Sequence, residues 1–166
     1  MNRTAGTARV IRAAGVAGVV LCVMARGADA QQTIEYGPQV TGVVAEPASA
    51  VAGGYVALRS VGRTRFALTA GAGVAEGDEA AWRTELAVHF MLNPRARSGV
   101  GAYVGGGAAA ADAGEGANGY LVLLAGVESS PAAPSGWALE AALGGGLRVT
   151  AGWRWRSFPP NWRFLR

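Results

Sequence analysis

Residues 136 to 158 read GWALEAALGGGLRVTAGWRWRSF, and their spacing decides the fold. After the glycine triplet, Leu147, Val149, Ala151, Trp153 and Trp155 alternate with Arg148, Thr150, Gly152, Arg154 and Arg156. A period of two sends successive side chains to opposite faces of an extended strand, so one face is apolar and the other polar or small. Ahead of the triplet, Ala138, Glu140, Ala142 and Gly144 recur at every second position, and the glycines between the two runs read as a tight turn.

The same period returns upstream. In AWRTELAVHFML, residues 81–92, Trp82, Thr84, Leu86, Val88, Phe90 and Leu92 alternate with Arg83, Glu85, Ala87, His89 and Met91. In RFALTAGAGV, residues 65–74, Phe66, Leu68, Ala70, Ala72 and Val74 alternate with Arg65, Ala67, Thr69, Gly71 and Gly73. Turn signals between such runs place eight strands at about 33–45, 51–60, 64–75, 81–92, 98–110, 119–129, 136–144 and 147–158. The links, among them VGR, NPRAR and SPAAPS, are too short for anything but antiparallel neighbours. The expected fold is all-β, an antiparallel up-and-down β-barrel of about eight strands. Glycine, at 26 of 166 residues, argues against long helices, and a hydrophobic content of 51% argues against disorder. Strand six, YLVLLAGV, is apolar on both faces, and strand one carries Pro38, which lacks the N–H a ladder needs.

The first thirty residues read differently. A basic start (Arg3, Arg9, Arg12), an apolar run from Ala13 to Ala25 and Ala28-Asp29-Ala30 have the order of a cleaved secretory signal, and the run is too short to span a bilayer as a helix. The chain therefore divides into a signal peptide (1–30), a barrel (31–158) and a C-terminal tail (159–166). The formal net charge of +4 falls mostly in the signal: without it, eleven arginines face ten acids. That balance leaves no basic stripe for nucleic acid. Cys22, the one cysteine, leaves as well, so the exported part has no thiol chemistry.

Alternation alone does not say which face looks inward. A soluble barrel buries its apolar face, whereas a membrane barrel turns it to lipid. Runs of 9 to 12 residues match a tilted bilayer crossing better than the ~5–6 of globular strands. The polar face, mixing glycine and alanine with a few charges, suits a narrow interior where opposite charges pair. On that reading Arg83, Glu85, His89, Glu140, Arg148, Arg154 and Arg156 face the lumen, with Arg148, Arg154 and Arg156 directed toward acids such as Glu85 and Glu140. Tyr55, Trp82, Tyr120, Trp137, Trp153 and Trp155 are expected at the two membrane interfaces, where amphipathic rings are favoured.

With those features in hand, residues 33 to 158 resemble the small bacterial outer-membrane β-barrel proteins of the eight-stranded class. In the last strand Thr150, Gly152 and Trp155 fit that family's assembly signal, while Ser157 stands where its final aromatic would be. The resemblance implies an outer-membrane location, a monomer in outer-membrane lipid, and the barrel-assembly machinery as a partner during biogenesis. Eight strands enclose only enough room for side chains, so a largely plugged lumen is expected.

Chemistry is sparsely signalled. His89 is the one histidine and no serine stands at a telling spacing from it, so a hydrolytic triad is not indicated. Without a mature cysteine the usual zinc sets are unavailable, and Glu76, Asp78, Glu79, Asp112 and Glu115 miss calcium-loop spacing. The expected function is therefore non-enzymatic, structural or surface-interacting, with no cofactor. Two alternatives stay open: a soluble periplasmic or secreted barrel binding a small apolar ligand, and a lipid-modifying enzyme of the outer membrane.

Overall fold

The computed structural model describes residues 33–60, 62–114 and 116–158; the expected signal peptide and tail lie outside them. Eight strands follow one another: β1 (Thr33–Val44), β2 (Ser49–Arg59), β3 (Thr64–Ala75), β4 (Ala80–Met91), β5 (Val100–Asp112), β6 (Asn118–Ser129), β7 (Ser135–Leu143) and β8 (Leu147–Ser157). Each pairs antiparallel with the next, and β8 returns to β1, closing an eight-stranded barrel. One 3₁₀ turn, Glu76–Asp78, joins β3 to β4.

Following one row of partners shows the stagger that closure requires. Tyr36 pairs with Val56, Val56 with Leu68, Leu68 with Leu86, Leu86 with Ala108 and Ala108 with Leu121. The row starts near the beginning of β1 and ends near the beginning of β6, at the opposite end of the barrel, because tilted strands displace the register at each step. β1 and β8 place both of their outer termini at one end, here called the terminal end. The β2–β3, β4–β5 and β6–β7 loops lie there too, and the other four connections form the far end.

Pro38 is accommodated at the seam. β1 pairs with β8 on either side of Gly37 and Pro38 but not through them, which removes the need for the missing N–H. Two glycines allow the strands to approach closely at that point. A Cβ on Gly37 would run into the Trp153 carbonyl oxygen, and one on Gly152 would lie 2.8 Å from the Pro38 carbonyl oxygen. The β7–β8 turn is Gly144-Gly145-Gly146, with φ of 144°, 69° and 109°, a conformation that only glycine adopts freely.

Burial alternates along most of the strands, and the charged residues of the strands lie almost entirely on the buried side. Thr33, Glu35, Thr41, Arg59, Arg65, Arg83, Glu85, His89, Glu128, Glu140, Arg148, Thr150, Arg154 and Arg156 all point inward. Ile34, Val40, Phe66, Leu86, Val104 and Val149 point outward and are exposed, as is Leu121 at 87%. An apolar patch inside, formed by Ala87, Met91, Tyr103, Ala109, Val122, Leu124 and Ala142, lines the wall of β4 to β7. Apolar area left outside on this scale is far beyond what a water-soluble surface ordinarily carries.

Two sequence expectations are corrected. Tyr55, expected at a membrane interface, is 3% exposed and lies inside the barrel. Both faces of β2 mix apolar and small residues, so the face is set by Arg59, which shares Tyr55's parity and finds its partners only inside. Tyr120 likewise takes the inward parity of β6, half-buried at the far end with its ring over Gly145. Strand six looked apolar on both sides, and Glu128 at the same parity decides it. The expected pair of aromatic bands becomes one. Among the described residues, Tyr36, Phe66, Phe90, Trp137, Trp153 and Trp155 are exposed around the terminal end, and Trp82 is the one exposed aromatic at the far end.

Candidate functional site

The interior is built around arginine and glutamate contributed by seven strands, all but β5. Among the described residues six arginines and four glutamates are buried there. They divide into two clusters at different depths.

The cluster at the terminal end centres on Glu128 of β6. Its Oε2 accepts hydrogen bonds from Arg65 at 2.8 Å, Arg154 at 2.9 Å and Arg156 at 3.2 Å. Glu35 of β1 accepts from Arg65 at 3.1 Å and Arg59 at 3.4 Å. Four guanidinium groups thus surround two carboxylates. The surplus charge is met by backbone dipoles, since Arg59 donates to the carbonyls of Pro94 and Pro131, and Arg156 to those of Ser130 and Ala133. These carbonyls belong to the β4–β5 and β6–β7 loops, which also bond to each other through Ser130 N–H to Gly99 O and Ala132 N–H to Ala96 O. Pro131 is fully buried against Gly101. The arginines therefore tie two loops across the terminal end.

The second cluster lies toward the far end and is balanced. Arg148 donates to Glu140 at 2.7 Å and to Glu85 at 3.0 Å, and Arg83 to Glu85 at 3.3 Å and to the Gly144 carbonyl at 3.1 Å. Thr41 and Thr150 share a hydrogen bond of 2.9 Å beside it. The Tyr103 hydroxyl links the clusters, accepting from Arg154 at 3.1 Å and donating to Glu140 at 3.1 Å. Arg154 also lies 4.4 Å from the centre of the Tyr55 ring, and Arg65 4.6 Å from that of Tyr103, contacts favourable for a desolvated cation.

His89 is held within this frame. Its Nδ1 accepts from Arg65 Nε at 3.2 Å and lies 3.0 Å from Nη2, and its ring stacks on Tyr103 with centroids 5.1 Å apart and planes at 8°. Of the sequence-derived interior candidates, Arg83, Glu85, Glu140 and Arg148 meet in the far cluster, and Arg154, Arg156 and His89 in the terminal one. Arg154 and Arg156 reach Glu128 rather than Glu85 or Glu140. Reasoning from sequence did not gather Glu35, Arg59, Arg65, Tyr103 and Glu128. Arg65 carried a signal in its alternation with Phe66, whereas Glu128 ends a run apolar on both faces.

Above the far cluster lies a cavity of about 80 Å³, open at the far end, with Arg83 at its floor and Val43, Val51, Trp82, Tyr120 and Asp112 around it. Deeper spaces are about 10 Å³ each. No cluster of three or more metal-ligating side chains occurs among the described residues.

Comparison with known proteins bears on the fold. No protein-family model and no curated protein matches the sequence. Among solved structures, the N-terminal β-barrel domain of Pseudomonas aeruginosa OprF aligns over 78% of this chain and 100% of its own, at 13% identity and a TM-score of 0.59. Neisserial surface protein A aligns over 75% of this chain and 96% of its own, at 11% identity and a TM-score of 0.43. The chain thus shares a closed antiparallel β-barrel fold with the OprF domain.

Proposed function

We propose that this chain is a non-enzymatic barrel of the bacterial outer membrane, exported by its N-terminal segment, with a plugged lumen and a structural or surface-interacting role. The observation that carries this reading is the inversion of faces: charge inside, a continuous apolar surface outside. A soluble barrel binding an apolar ligand would have the opposite polarity. No outward position in the eight strands carries a charge before Asp112 at the end of β5, as a lipid-facing wall requires.

The plugged lumen is supported by the two interlocked charge clusters and by the loops tied across the terminal end. The absence of catalysis is supported by His89, whose Nδ1 lone pair faces the Arg65 guanidinium and whose ring is stacked, an arrangement that holds structure rather than activating a nucleophile. Assembly of the barrel would read the β8 residues Thr150, Gly152 and Trp155, of which Trp155 lies on the outer surface.

The test is extraction and mobility. Membranes washed with carbonate or urea should retain the protein, and in detergent the folded chain should migrate differently before and after boiling. Release without detergent, or one mobility under both conditions, would overturn the membrane reading.

A further inference from the structure

The charges outside the lumen are sorted by sign between the two ends. At the terminal end the described loop residues carry Arg63, Arg95 and Arg97, all exposed, and no acid. At the far end the described loops and strand ends carry Glu46, Glu76, Asp78, Glu79 and Asp112, and no base.

The aromatic band is at the same end as the arginines. Tyr36 and Trp155 pack with ring centres 5.7 Å apart, and Trp137 is the cross-strand partner of Trp153. Amphipathic rings of this kind mark the boundary between hydrocarbon and headgroups. The arginines stand in the connections that follow β2 and β4, beyond the band, where the membrane reading would place lipid phosphates. A guanidinium group offers phosphate a planar, multi-donor fork. Among the described residues the far end has one exposed aromatic and a rim of carboxylates, which would repel the same headgroups.

From this juxtaposition we infer that the terminal rim is a binding surface for anionic phospholipid headgroups, selective for the leaflet in which that rim lies. The inference rests on the membrane reading above. Three cations near a surface should enrich anionic lipid around the rim roughly two- to fivefold over its bulk fraction. Each lipid phosphate held beside the band would also fix the depth of the barrel, so the sorted rims give it one preferred orientation.

The experiment uses the full chain carrying Trp82→Phe and Trp162→Phe, so that the remaining tryptophans, Trp137, Trp153 and Trp155, report the terminal end. It is reconstituted into vesicles of phosphatidylcholine and phosphatidylglycerol in which one lipid or the other is brominated. The expected result is stronger quenching by brominated phosphatidylglycerol than its mole fraction predicts, lost in the Arg63→Gln/Arg95→Gln/Arg97→Gln variant and weakened by high salt. Equal quenching by the two lipids, or a preference that survives the triple substitution, would overturn the inference while leaving the membrane reading intact. Failure of the chain to enter either vesicle would overturn both.

Discussion

Glu128 is the residue on which the interior depends most. One of its oxygens accepts from three arginines contributed by β3 and β8, and the side chain is fully buried. Desolvating these charges is costly, so such a network is better regarded as specifying one arrangement than as a net source of stability. Removing one member is another matter, because it strands its partners. Glu128→Gln is expected to destabilise the folded barrel by about 3–5 kcal/mol, read as a lower urea midpoint in detergent micelles. A midpoint unchanged by the substitution would mean that the guanidinium groups have other counter-charges. By contrast His89→Ala removes a stacked ring and an acceptor but no charge, and a smaller loss is expected, about 1–3 kcal/mol. The charged residues of β4, β7 and β8 were legible in the sequence because each alternates with large apolar neighbours. Glu128 and Tyr55 were not, since the faces of β6 and β2 differ too little for parity to show which side they join.

At the scale of the strand, the outer face of β8 tests the inversion most directly. Ala151 lies between Val149 and Trp153 on the exposed side of that strand, away from either rim. Ala151→Arg is expected to cost about 2–4 kcal/mol in a bilayer, the range for a cation near the midplane of a transmembrane barrel. In a soluble barrel it would be close to neutral. The measurement is the unfolding free energy in lipid vesicles, with Ser157→Arg at the strand end as a tolerated control. The seam between β1 and β8 tests closure. Because a side chain on Gly37 would meet the Trp153 carbonyl, Gly37→Val should prevent β1 from docking, leaving a chain whose gel mobility no longer changes on boiling. Pro38 had looked out of place in a closed sheet. Its tolerance comes from a two-residue interruption of one ladder, a property of the pairing that the strand's own residues do not reveal.

At the scale of the molecule, the two loops held at the terminal end bear on permeability. Arg59 and Arg156 tie the β4–β5 and β6–β7 connections through their carbonyls, and replacing both with alanine would release that closure while leaving Glu35 and Glu128 paired to Arg65. The wild-type chain is expected to give little or no steady conductance in a planar bilayer, and the double variant a measurably larger one. Equal conductance in the two would place the barrier deeper, among Arg83, Glu85, Arg148 and Glu140.

The sequence by itself determined the strand number, the alternation, the antiparallel order and most of the polar face, since these follow from local period and short links. Only the tertiary structure decided which residues meet across the interior, because that depends on strand tilt and register accumulated around the whole barrel. It also decided where Tyr55 and Tyr120 point and that the exposed aromatics gather at one end. A side chain's height on a tilted wall is fixed by the register of every strand between it and its neighbours, and no single strand encodes that sum.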